Sequence, residues 1–66
     1  MQLTPREKDV ADLLMTGASN KEICRALKIE LVTTKLHMRN LCRKLKAKNR
    51  THAAIILLEE RLNNEC

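Results

Sequence analysis

The chain has no phenylalanine, tyrosine or tryptophan, and only one glycine and one proline in 66 residues. Without aromatic rings it has no platforms for stacking unpaired bases, which argues against single-stranded nucleic acid as a ligand. A core limited to Leu, Ile, Val, Ala, Met and Cys suits packed helices better than a sandwich or a barrel. Long apolar runs are missing as well. The longest, Ala53–Leu58, has six residues, whereas a membrane span needs roughly 20. There is no Gly-rich phosphate loop, and no nucleophile stands at a recognisable spacing from a base. A chain this short also leaves little room for a substrate pocket. These absences exclude most enzyme classes.

Cysteine is scarce and unpaired in pattern. Cys24, Cys42 and Cys66 make no C-x-x-C motif and have no histidine at ligand spacing. Reduced thiols in a cytoplasm are therefore expected, with no metal site and no cofactor. Cys24 and Cys42 read as small core residues, and Cys66 as an exposed terminal thiol.

What remains is enough for one small domain spanning 1–66. Apolar residues make up 44% of the chain, although a chain of this size buries only about 60% of its unfolded surface. The net charge of +5 favours an acidic partner. That charge is concentrated. Thr33–Arg50, TTKLHMRNLCRKLKAKNR, holds seven of the thirteen lysines and arginines and no acid.

Helix punctuation divides the chain into four. Thr4, Pro5 and Glu7 form a capping box that opens a helix over about 5–16, with Val10, Leu13 and Leu14 facing inward and Gly17 as its stop. Ser19 and Glu22 repeat the box for a second helix, about 19–27, with Ile23 and Leu27 inward. A joint at Lys28-Ile29-Glu30 leads to a third helix over about 31–46. Thr51 is the expected cap of a fourth, about 51–62, followed by a frayed polar end. No strand pattern competes, so the fold class is all-α, a compact four-helix bundle containing a helix-turn-helix.

At 100° per residue, Thr34, Met38, Leu41, Cys42 and Leu45 of the third helix fall in an arc of about 100°, a core stripe. Lys35, Arg39, Arg43 and Lys46 share a second arc of about 80°, with Val32 and Leu36 in or beside it and Asn40 at its border. His37 sits at the edge of the core stripe, where packing or a place beside a phosphate is expected rather than proton transfer. Long basic side chains often do no more than solubilise a helix. Here no acid stands at i±4 to balance them, and the apolar residues among them suit thymine methyl groups. A short helix, a tight joint and a longer basic helix form the pattern whose second member enters the DNA major groove.

These segments (LTPRE, GASNKEI, TTKLHMRNLCRKL and NRTHA) closely resemble the LuxR/FixJ/NarL-type, or GerE-type, helix-turn-helix domain, over about residues 3–62 with no gap. The resemblance implies a transcriptional regulator that binds double-stranded DNA as a homodimer. In the family the domain usually follows a phospho-receiver or ligand-sensing domain as its output unit. Carried over position by position, base reading falls to Lys35, Leu36 and Arg39. Phosphate binding falls to Asn20, Lys21, Thr33, Asn40, Arg43, Lys44 and Arg50. RNA polymerase is a further candidate partner, and no membrane or small-molecule ligand is implied for this domain. The chain departs from the family pattern at four places. Glu30 replaces the usual Ser or Thr cap, Thr34 a buried methyl, Lys28 a Gly or Asp, and Val32 a polar residue.

On the fourth helix, Ala54, Ile55, Leu58 and Leu62 are expected to close the core. Ala53, Ile56 and Leu57, on the other side, are then left for a two-fold contact between copies. The rival to DNA binding is a protein-binding helix-turn-helix, resembling region 4 of a sigma factor or a small anti-regulator. That partner would cover the fourth helix and Leu36, and the two readings differ in their response to salt.

Overall fold

Side-chain caps open the first, second and fourth helices, and left-handed turns end the first three, in the computed structural model, which describes residues 2–65. The elements are α1 (Pro5–Met15), α2 (Asn20–Leu27), α3 (Leu31–Leu45) and α4 (Arg50–Glu65), with no strand among the described residues. The expected thiol at Cys66 lies outside them. Both capping boxes form: Thr4 Oγ1 accepts from the Glu7 amide at 3.1 Å and Glu7 Oε1 from the Thr4 amide at 3.0 Å. Ser19 and Glu22 make the same exchange. Those bonds hold both the Glu22 and the Glu7 carboxyl below the usual range, although for Glu7 the largest cause is Lys44.

One cap differs from expectation. The amide of His52 donates to Asn49 Oδ1 at 2.8 Å, so Asn49 caps α4 and Thr51 lies inside it. His52 completes the arrangement, accepting the Lys48 amide on Nδ1 at 3.0 Å. Asparagine is at least as good a cap as threonine, and it stands two residues earlier.

The first three helices close in the same way. The chain turns through the left-handed region at Gly17 (φ 89°), Lys28 (φ 57°) and Lys46 (φ 57°). At each, the following amide reaches back five residues: Ala18 to Leu13, Ile29 to Cys24 and Ala47 to Cys42. These are Schellman closures, which favour glycine at the left-handed residue. A lysine there carries about 1–2 kcal/mol of steric cost. Lys28→Gly and Lys46→Gly should therefore each raise stability by about 0.5–1 kcal/mol, after the added chain entropy of glycine is subtracted. Chemical denaturation reads the gain, and an unchanged or lower midpoint would show that no strain is held at these turns.

The core is Val10, Ala11 and Leu14 of α1, Ile23 of α2, Met38, Leu41 and Leu45 of α3, and Ala53 and Leu57 of α4. Thr34 is fully buried among them, and its hydroxyl donates to the Glu30 carbonyl at 3.2 Å; among the described residues no buried side-chain nitrogen or oxygen lacks a partner. Cys24 and Cys42 are only half-buried. Cys42 packs against the core from its edge. Burial pushes its thiol up, against the partial offset of the Arg50 charge, which disfavours the reactive thiolate.

The rotation of α4 is opposite to the expected one. Ala53 and Leu57 are buried, Ile56 packs against the core, and Ile55, Leu58 and Leu62 are exposed by 48%, 41% and 62%. Ala53 and Leu57 therefore cannot serve a contact between copies. Both faces of this helix are apolar, so periodicity alone could not choose between them. Arg50 lies on the inward side, about 60° around the helix from Ala53, and bonds there to the start of α2.

Candidate nucleic-acid interface

The interface is assembled on α3, which packs against all three other helices and is held at both ends by left-handed turns. Its inner stripe is as expected: Thr34, Met38, Leu41 and Leu45 are buried. Lys35, Leu36 and Arg39, at i, i+1 and i+4, stand exposed on the outer side beside Val32. Val32 is 68% exposed and Leu36 52% exposed. Among the described residues neither Lys35 nor Arg39 has an ion-pair or hydrogen-bond partner within the protein. The fold thus presents an uncompensated cationic row with apolar spots, an arrangement able to donate to an anionic, methyl-bearing surface.

The residues expected to bind phosphate separate into three groups. Lys21 is exposed at the start of α2, and Thr33 is half-buried on the first turn of α3. Asn40 and Arg43 are joined to each other, the guanidinium donating to Asn40 Oδ1 at 3.2 Å, and remain at the surface. Asn20 and Arg50 are also joined, at 3.0 Å, and Arg50 donates at 2.7 Å to the Ala18 carbonyl. Asn20 is half-buried, as is Arg50.

Lys44 belongs elsewhere. Its ammonium lies 2.6 Å from Glu7 Oε1 and 3.4 Å from the Gln2 carbonyl, tying the end of α3 to α1 and the segment before it. The Glu7 side chain is only 5% exposed and that of Lys44 33%. Lys44, first, and then the Thr4 amide hold the Glu7 carboxyl below its ordinary value against the opposing effect of burial. The Lys44 ammonium, expected among the phosphate donors, is thus engaged by a buried carboxylate within the protein, unlike Lys35 and Arg39. A signal was available in the sequence. Lys44 lies about 140° around α3 from the middle of the Lys35–Arg43 arc, at 100° per residue.

Glu30 opens α3 with an extended backbone and makes no side-chain cap bond. Its carboxylate still favours the positive end of the helix. Among the described residues there is no enclosed cavity and no cluster of metal-ligating side chains. No helix there is long and apolar enough to cross a membrane.

Comparison with known proteins places this geometry in context. The family described as bacterial regulatory proteins, luxR family, matches residues 1–57. An uncharacterized transcriptional regulatory protein, YhcZ of Bacillus subtilis, is 48% identical over 97% of this chain and 30% of its own length. The nitrate/nitrite response regulator NarL of Escherichia coli is 43% identical over 92% of this chain and 28% of its own. The related NarP is 48% identical over 89% and 27%. The chain thus spans less than a third of the length of these relatives. On the helix-turn-helix geometry and on these matches, the chain belongs to the luxR family of bacterial regulatory proteins.

Proposed function

We propose that this domain binds double-stranded DNA sequence-specifically as the output unit of a transcriptional regulator, with α3 in the major groove. The observation that carries this reading is the row Lys35–Leu36–Arg39. It is exposed, acid-free and without protein partners among the described residues, on a helix held to its neighbour by the Lys28 turn. A helix about 10–12 Å across fits a groove about 12 Å wide. Lys35 and Arg39 donate to guanine O6 and N7, and Leu36 meets a thymine methyl. Lys21, Thr33, Asn40 and Arg43 fix the register on the phosphates.

The exposed apolar face of α4 supports pairing of two copies. Ile55, Leu58 and Leu62 fall within an arc of about 60°. A two-fold contact there sets two α3 helices one DNA turn apart, roughly 34–36 Å. The family is one of regulators rather than of enzymes, and a role on DNA supports a place in the cytoplasm.

A salt titration on duplex DNA tests the function. Each phosphate neutralised by a lysine or arginine contributes about −0.9 to the slope of log affinity against log salt. Several such contacts predict a steep linear fall. A flat response with retained binding to a protein of the transcription machinery would instead support the protein-docking reading. In the same assay Leu58→Glu should abolish cooperative occupation of two half-sites while leaving binding to one half-site intact. Unchanged cooperativity would remove α4 as the pairing surface.

A further inference from the structure

Arg50 is the first residue of α4, yet its side chain acts at the start of α2. A guanidinium has five N–H donors and no acceptor. The atom of the Asn20 amide that faces it at 3.0 Å must therefore be the carbonyl oxygen. This fixes the amide's orientation by chemistry: the NH2 group is turned away from Arg50. Among the described residues that NH2 has no protein acceptor. Beside it, the backbone amides of Asn20 and Lys21 are first-turn groups without an intrahelical partner. The exposed Lys21 ammonium follows at the next position. The guanidinium itself is already engaged by two carbonyl oxygens, those of Ala18 and Asn20, in a half-buried position.

We infer that Arg50 is a positioning residue for the DNA backbone. It does not take a phosphate itself. It locks the Asn20 amide with its NH2 outward, so that Asn20 donates to a phosphate oxygen together with the neighbouring backbone amides. This inference rests on the DNA-binding reading, and it reverses the direct phosphate role expected of Arg50 from the family resemblance.

The test is a double-mutant cycle read on a random-sequence duplex of about 30 base pairs, some three helical turns. Wild type, Asn20→Ala, Arg50→Gln and the double variant are titrated over a range of salt. Each single change should weaken binding about 2- to 10-fold, the range for one hydrogen bond. The double variant should lose little more than the weaker-binding single variant. The salt slope of Arg50→Gln should match that of wild type. A slope smaller by about 0.9, or losses that multiply, would show that Arg50 meets phosphate directly and would overturn the inference. No loss in Asn20→Ala would overturn it too. Should Arg50→Gln not fold, an NMR titration of the wild-type domain decides the matter. Movement of the Asn20 side-chain NH2 signals with a stationary Arg50 Nε–H supports positioning, and the reverse refutes it. Wild-type protein that binds no duplex at all would be a failure of the DNA-binding reading, distinct from these.

Discussion

Lys44→Met should destabilise the domain by about 2 kcal/mol, lowering the melting temperature by roughly 8–16 °C at the 4–8 °C per kcal/mol of a domain this small. The change removes the ammonium 2.6 Å from Glu7 Oε1 and leaves a nearly covered carboxylate with only the Thr4 amide. Stranding one partner of a fully buried pair costs about 3–5 kcal/mol. The lower figure is appropriate because Lys44 is one-third exposed and Glu7 lies shallowly in a very small molecule. Even so, it is a large share of what a marginal 66-residue fold has to spare.

The same pair has a pH signature. The folded-state Glu7 carboxyl is held below its ordinary 4.5. Its contribution is therefore complete above about 4.5 and disappears as pH falls through the depressed value. The gap in melting temperature between wild type and Lys44→Met should be widest near neutrality and close in acid. Replacing both partners by apolar residues, Glu7→Leu with Lys44→Met, should recover part of the loss, because no charge is then left buried. Thermal unfolding by circular dichroism checks all three. An unaltered melting curve, with affinity lowered equally on every duplex, would return Lys44 to the phosphate-binding set.

Arg39→Ala should have the second large effect, on recognition rather than stability. Arg39 is exposed and makes no bond to the protein among the described residues, so its loss leaves the melting temperature within about 4 °C, the ±0.5 kcal/mol of an ordinary surface change. A bidentate contact to guanine is worth about 1–3 kcal/mol of discrimination. The preference for a selected duplex over its scrambled counterpart should accordingly fall by roughly 5- to 150-fold. Lys21→Ala should instead lower affinity on both duplexes alike, since a phosphate contact carries no base information. Gel-shift measurements on the two duplexes separate the cases. Equal loss of preference in the two variants would refute the division between reading and positioning.

Most of the architecture was legible from local chemistry. The two capping boxes, the glycine stop and the core stripe of α3 all depend on neighbours within one or two helical turns, and such contacts are written in spacing. The exposed arc containing Lys35 and Arg39 was legible for the same reason. The cap of α4 was misplaced because Asn49 and Thr51 are both competent caps two residues apart. The two contacts at the site that the sequence did not reveal join partners distant in the chain. Glu7 and Lys44 are 37 residues apart, and Asn20 and Arg50 are 30 apart.

By itself, the sequence determined that this protein is a set of four short helices with a basic, acid-free face on the third, because helix signals and the face of a side chain follow from residues a few positions away. Only the tertiary structure decided which side of α4 is buried and which bases are left unpaired. Both faces of α4 are apolar, and a cation's freedom depends on what the folded chain brings beside it. Lys44 met a carboxylate, Arg50 met two carbonyl oxygens, and Lys35 and Arg39 met no partner among the described residues.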